Sequence, residues 1–185
     1  MSIMKNLTAA NQLTILRMLL IPAFVILLLY GYRGWALIVF FVAGLTDMLD
    51  GLIARKAGQK TDLGAWLDPM ADKLLLVTMF VVLTLPDIGS ANQLPLWFTI
   101  LVISRDVAIV ATVAVINLAV GPRTFRPSVF GKMATFTYIL TGVTTLYFNY
   151  LGQASALVTA LIYASLVITF VSAGHYLTQV FPLHD

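Results

Sequence analysis

Long apolar runs separated by short polar breaks give this chain its plan. A helix that crosses a bilayer needs about 20 apolar residues. Six such runs can be drawn, roughly Leu13–Tyr30, Trp35–Ala54, Ala65–Leu85, Leu94–Val120, Val129–Asn149 and Ser155–Val180. The breaks carry turn chemistry: Gly31-Tyr-Arg-Gly34, Pro86-Asp-Ile-Gly-Ser-Ala-Asn-Gln93, Gly121-Pro-Arg-Thr-Phe-Arg-Pro127 and Tyr150-Leu-Gly-Gln153. Because the breaks are short, sequential neighbours are expected to pack antiparallel. No repeat, low-complexity segment or second domain is visible. Residues 1–185 therefore read as one all-α domain, a polytopic membrane protein with six transmembrane helices.

Composition agrees with that pattern. The chain is 60% hydrophobic and 10% charged, with a mean hydropathy of +0.95, whereas a soluble domain is nearer half apolar and a quarter charged. The first run is too long for a cleaved signal peptide and lacks a small-residue cleavage site, so it reads as a retained span. The net charge of +3 does not point to nucleic acid, since the cations sit mostly at helix ends, where they meet anionic lipid headgroups. With no cysteine, disulfides and thiol chemistry are excluded. Charge counting sets the topology. Lys5, then Arg55, Lys56 and Lys60, then Arg123, Arg126 and Lys132 alternate with connections that hold Arg33 alone, Asp87 alone, or no charge. Both termini are expected in the cytoplasm.

Against this apolar background stands a cluster of carboxylates. Asp47, Asp50, Gly51, Ala54 and Arg55 fall at helical spacing on one stripe, and Gly64, Asp68 and Asp72 on a stripe of the next helix. Four of the chain's eight acidic residues, all aspartates, stand on these stripes. Both stripes are expected in the cytoplasmic halves of neighbouring spans, with Asp47 about 12 Å above Arg55 at 1.5 Å per residue. That depth makes a pocket sunk below the surface. Ionisable groups in spanning helices are expensive to keep and mark functional sites. Four facing carboxylates repel strongly in a low dielectric. Two divalent cations would neutralise them and could clamp both ends of a phosphoryl displacement. Oxygen-only ligands suit Mg²⁺ or Mn²⁺. Gly51 and Gly64 permit close approach of a nucleotide or a facing backbone, Ala54 extends that small face, and Arg55 offers a fork to a diphosphate. The alternative is a salt-bridge network with Arg55, Lys56, Lys60 and Lys73, which explains one aspartate more readily than four in register.

The string D-x-x-D-G-x-x-A-R-x8-G-x-x-x-D-x-x-x-D is matched at every fixed position, and it resembles the signature of the CDP-alcohol phosphotransferases, integral membrane enzymes of phospholipid synthesis. The opening Asn11-Gln-Leu-Thr14-Ile-Leu-Arg17-Met-Leu-Leu-Ile-Pro22 looks like the start of the bacterial phosphatidylglycerophosphate synthases. The resemblance implies that Asp47, Asp50, Asp68 and Asp72 hold two divalent metals, Mg²⁺ or Mn²⁺. It implies that Gly51, Ala54, Arg55 and Gly64 hold the CDP part of CDP-diacylglycerol, and that Asp72 is the general base. It further implies a homodimer in the bacterial inner membrane, with the active site facing the cytoplasm. The alcohol acceptor would attack the phosphorus bearing the lipid, and CMP would leave.

The acceptor is less sharply written. Arg105 and Asp106 form an adjacent charged pair inside an apolar run. Neighbours on a helix do not face each other, so each is expected to find another partner. Arg105 could meet an anionic acceptor, with Arg123, Arg126 and Lys132 adding cation at the cytoplasmic mouth; the alternatives are a structural pair and positive-inside anchoring. Phosphatidylglycerophosphate synthases tend to show Gly-Lys-x-Lys-Thr at the start of the fifth span, but here Ala134 replaces the second lysine in Gly131-Lys132-Met-Ala134-Thr135. Ile103-Ser-Arg-Asp-Val107 looks closer to the cardiolipin synthases. Glycerol 3-phosphate leads as acceptor, followed by phosphatidylglycerol. His175 and His184 read as core or terminal residues, and Trp35, Trp66 and Trp97 as interfacial anchors. A membrane prenyltransferase would need widely separated aspartate motifs. A cation channel would need neither Arg55 nor the paired glycines.

Overall fold

The computed structural model describes the backbone of residues 9–57, 62–86, 90–120 and 128–180, and the side chains of 12–46, 70–86, 90–112, 114, 115, 118 and 128–175. It is an all-α bundle, without strands among the described residues: α1 (Ala9–Leu29), α2 (Arg33–Ala57), α3 (Asp62–Thr84), α4 (Leu96–Val120), α5 (Val129–Leu151) and α6 (Ala156–Val180). Each helix coincides with one expected apolar run to within a few residues at either end. Within the described stretches, Gln12–Leu29 and Ala156–His175 are long and apolar enough to cross a membrane by length and composition.

The turns explain where the helices stop. Gly31 has φ +79°, the left-handed conformation that glycine tolerates best. There the Gly31 N–H donates to the Leu28 carbonyl (3.1 Å) and the Tyr32 N–H to Leu27 (2.8 Å), the paired bonds of a Schellman cap. Gly152, with φ +68°, closes α5 in the same way: its N–H donates to Asn149 (3.2 Å), and that of Gln153 donates to Phe148 (3.0 Å). At the other end of α5, the Ser128 side chain accepts from the Gly131 N–H at 3.0 Å, an N-cap.

The α1–α2 and α5–α6 pairs pack most extensively, as their short turns require; α1 also lies on α3, and α2 on α5. A continuous core runs through Phe24, Phe40, Met79, Phe80, Leu83, Phe98, Tyr138 and Leu146, all buried. Phe80 meets Phe98 edge-on with ring centroids 5.8 Å apart, and Phe98 meets Tyr138 at 6.1 Å. A Cβ on Gly142 would stand 2.0 Å from Met79 Cε, so glycine at that position leaves room for the buried end of the methionine side chain.

Three connections gather at one end, here the hairpin end. Asn92, before α4, donates its backbone N–H to Asn149 Oδ1 (2.7 Å) and its side-chain amide to the Gln153 carbonyl (2.7 Å). Asn149 Nδ2 returns a bond to the Asn92 carbonyl (3.0 Å), and the Ser155 N–H donates to Asn92 Oδ1 (2.8 Å). Both asparagines are buried. This clasp ties the α3–α4 connection to the α5–α6 turn. Around it, Tyr30, Tyr32, Trp35 and Tyr150 are exposed, a composition typical of a membrane interface.

Candidate active site

At the opposite end, α2 finishes and α3 begins. The α2 helix continues unbroken to Ala57 and α3 starts at Asp62, so Asp47, Asp50, Gly51, Ala54 and Arg55 occupy the last turns of one helix. Gly64, Asp68 and Asp72 occupy the first turns of the next. The backbone therefore brings both predicted stripes to the same end of the bundle. The side chains of Asp47, Asp50, Gly51, Ala54, Arg55, Gly64 and Asp68 lie outside the described residues, as do Lys60, Asp87, Arg123 and Arg126 altogether. Asp72 is described and partly buried. Its position, at the inner edge of the stripe beside the buried Ala71 and Leu75, suits a base that must be screened from bulk water. The site offers carboxylate oxygen and neither sulfur nor imidazole, a donor set that fits a hard divalent cation. Among the described residues, which include only Asp72 of the four aspartate side chains, no group of three or more His, Cys, Asp or Glu converges.

Arg105 on α4 lies close to this end. Its Nη2 donates to the Gly131 carbonyl (3.0 Å), and Nη1 donates to Asp106 Oδ1 (3.0 Å) and Thr135 Oγ1 (3.3 Å). The guanidinium also sits 5.9 Å from the centre of the Tyr138 ring. Asp106 accepts in turn from Lys73 of α3. Each thus has the other partner expected of it, but the two also pair with each other, which the divergence of helix neighbours did not suggest. The long arginine curls back to its neighbour while Asp106 reaches a second helix. The result is a polar strap across α3, α4 and α5, and Lys73, one of its members, directly follows Asp72 in sequence. Among the described residues the buried Nε of Arg105 has no hydrogen-bond partner. Lys132 is exposed at the start of α5. His175 is partly buried with its ring 5.0 Å from Phe130; Trp35 and Trp97 are exposed.

Two residues carry more than sequence reasoning gave them. Thr14 and Arg17 on α1 are fully buried. Both stand in the quoted opening string, yet no role was read for either. The available signal was an arginine inside an apolar run, which by position alone reads as an interfacial cation.

With the geometry in place, comparison with known proteins identifies the class. The profile of the CDP-alcohol phosphatidyltransferase family matches residues 7–171, and the chain belongs to that family. Its members are membrane enzymes that generally use divalent cations. A Mycobacterium tuberculosis protein named putative cardiolipin synthase is 35% identical over 142 residues, covering 74% of this chain and 66% of the relative. From the same organism, a probable phosphatidylglycerophosphate synthase is 37% identical over 136 residues, covering 69% and 60%. The chain thus spans just under two thirds of the length of these mycobacterial relatives. A Haemophilus influenzae protein named CDP-diacylglycerol–glycerol-3-phosphate 3-phosphatidyltransferase is 35% identical over 174 residues, covering 89% of each chain.

Proposed function

We propose that this chain is a CDP-diacylglycerol-dependent phosphatidyltransferase of phospholipid biosynthesis, with glycerol 3-phosphate as acceptor. The observation that carries the reading is the complete aspartate motif of the sequence, which falls on the end of α2 and the start of α3. The near end-to-end relative named for glycerol 3-phosphate supports that acceptor. Residues 1–185 act as one domain with six membrane spans in a bacterial inner membrane. The termini and the aspartate end face the cytoplasm, because the cations alternate to that side. The enzyme works as a homodimer.

The chemistry follows from the residues. Asp47, Asp50, Asp68 and Asp72 would hold the divalent cations, which when bound would stabilise the negative charge that builds on the CMP leaving group. Gly51, Ala54 and Gly64 leave room for the CDP moiety, and Arg55 pairs with its phosphates. Asp72 accepts the proton of the acceptor hydroxyl. That oxygen forms a bond to the phosphorus bearing the diacylglycerol, the bond from this phosphorus to the CMP oxygen breaks, and CMP leaves. No covalent enzyme intermediate is needed. Arg105, together with Arg123, Arg126 and Lys132, attracts the anionic acceptor.

A second reading has phosphatidylglycerol as acceptor, giving cardiolipin; the relative named putative cardiolipin synthase favours it, as does Ala134 in place of a second lysine. One experiment tests both. Purified protein is incubated with CDP-diacylglycerol, Mg²⁺ or Mn²⁺, and each acceptor separately, with CMP and lipid products resolved by mass. Phosphatidylglycerophosphate formed with glycerol 3-phosphate, and no cardiolipin with phosphatidylglycerol, is the expected result. The converse selects the second reading, and CMP release with neither acceptor overturns both.

A further inference from the structure

The inward stripe of α1 changes character along its length. Leu28, Phe24 and Ile21 are buried apolar residues, whereas the next two positions at helical spacing, Arg17 and Thr14, are also buried, each with 0% of its surface exposed. The facing stripe of α2 does the same. Ala36, Phe40 and Ala43 are buried, and the next positions at the same spacing are Asp47 and Asp50.

The tight turn at 30–32 fixes how these stripes match. Starting from it, each step of three or four residues back along α1 is met by an equal step forward along α2. Leu28 is level with Ala36, and Phe24 is level with Phe40. Their rings confirm this, with centroids 5.7 Å apart. Ile21 is level with Ala43. Both helices continue without a break, so the next level joins Arg17 to position 47, and the one after joins Thr14 to position 50.

Charge requires the same match. A guanidinium stays protonated at any pH a protein survives, and burying it without an anion costs several kcal/mol. The helices packed on α1 are chiefly α2 and α3, whose acidic residues are Asp47, Asp50, Asp62, Asp68 and Asp72. Asp106, on α4, is already held by Lys73 and Arg105.

We infer that Arg17 is a positioning residue of the active site, its guanidinium paired with the Asp47 carboxylate. The pair removes one negative charge from a cluster that must exist before any cation binds. The inference rests on the reading of Asp47 as a site residue and deepens it.

Thermal unfolding of the full-length protein in detergent with excess chelator tests the pair without any metal. Arg17→Gln should lower Tm by roughly 5–15 °C in the wild-type background. It should cost less than half as much in the Asp47→Asn background, and nearly the full amount in the Asp72→Asn background. Equal costs in all three, or coupling to Asp72 alone, overturn the pairing. Should Arg17→Gln fail to fold, Arg17→Lys, which keeps the charge and loses the fork, is run through the same comparison with the same criterion. Mn²⁺ binding without substrate gives a second readout. Arg17→Gln should weaken it roughly tenfold, with little further loss in the Asp47→Asn background; undiminished binding overturns the positioning role. Wild-type protein that binds no Mn²⁺ overturns the metal site itself, while the unfolding cycle still decides the pair.

Discussion

The two ends of this bundle are built on opposite terms. At the hairpin end the described polar groups serve the fold: two glycine caps close α1 and α5, and Asn92 and Asn149 exchange bonds that tie two connections together. A shallow surface pocket lies there, lined by Gly31, Tyr32, Arg33, Gly34, Trp35 and Tyr150, and it has no aspartate in it. At the aspartate end the sequence places carboxylates and cations instead. A helix is stiff over the 20-odd residues that separate the ends. Fixing one end by caps and hydrogen bonds therefore sets the register of the other, so charges can be held at a defined separation without a local network of their own.

If that division is right, removing the cations or the base at the aspartate end should remove activity and spare the fold, and disturbing the hairpin end should do the reverse. Chelation is the largest effect. In excess EDTA, transfer from CDP-diacylglycerol should fall to background, and Mg²⁺ or Mn²⁺ should restore it. Zn²⁺ should restore it poorly, because the site lacks nitrogen and sulfur donors. Full turnover in chelator would exclude the metal site. Next, Asp72→Asn should cost roughly 10²–10⁴ in kcat, the range for loss of a general base. Its Tm should change little, because asparagine keeps the size of the side chain and one of its oxygens. A substantial residual rate would place the base elsewhere.

Arg105 tests the boundary between the two ends. Its bonds to Gly131 and Thr135 make it a strut, and under the proposed function its charge also serves the acceptor. Arg105→Ala should raise the acceptor KM by about 10–100-fold, the equivalent of a charge-assisted hydrogen bond, and leave the donor KM nearly unchanged. It should also lower Tm, since two helices lose a tie. Arg105→Lys should recover part of the KM effect if charge attraction dominates and none of it if the planar fork is required. A lower Tm with an unaltered acceptor KM would make the residue a strut alone.

What could be read beforehand divides along similar lines. The helices were legible because a spanning segment must satisfy its backbone internally, leaving long apolar runs that stop where Gly31 and Gly152 stand. The aspartate stripes were legible because carboxylates are rare there and their spacing is helical. Arg17 and the Asn92–Asn149 clasp were not. A single arginine or asparagine near a span end looks the same whether it meets lipid headgroups or another helix. Which of these it meets depends on how the helices are rotated against one another, and a spacing pattern within one helix does not contain that rotation. The Arg105–Asp106 contact was missed for a different reason, since the rule that neighbours diverge describes Cβ directions and underrates the reach of a guanidinium.

The hairpin end supplies the smaller effects. Asn149→Ala removes the acceptor of the Asn92 N–H and the donor to its carbonyl, leaving buried backbone groups unpaired at about 1–3 kcal/mol each. Tm should drop clearly, with kcat and both KM values unchanged below the transition. The smallest and most diagnostic changes are at the two capping glycines. A Cβ at Gly31 or Gly152 would meet no atom within 4 Å, so the cost of alanine there is the left-handed backbone alone, about 1–2 kcal/mol. Gly31 belongs to the α1–α2 pair and Gly152 to α5–α6, so Gly31→Ala and Gly152→Ala should add in the double variant to within about 0.5 kcal/mol. Neither should alter the transfer rate. A loss of kcat in Gly31→Ala at full folding would mean that the α1–α2 turn transmits strain to Arg17 and the aspartates, and that the two ends are mechanically coupled.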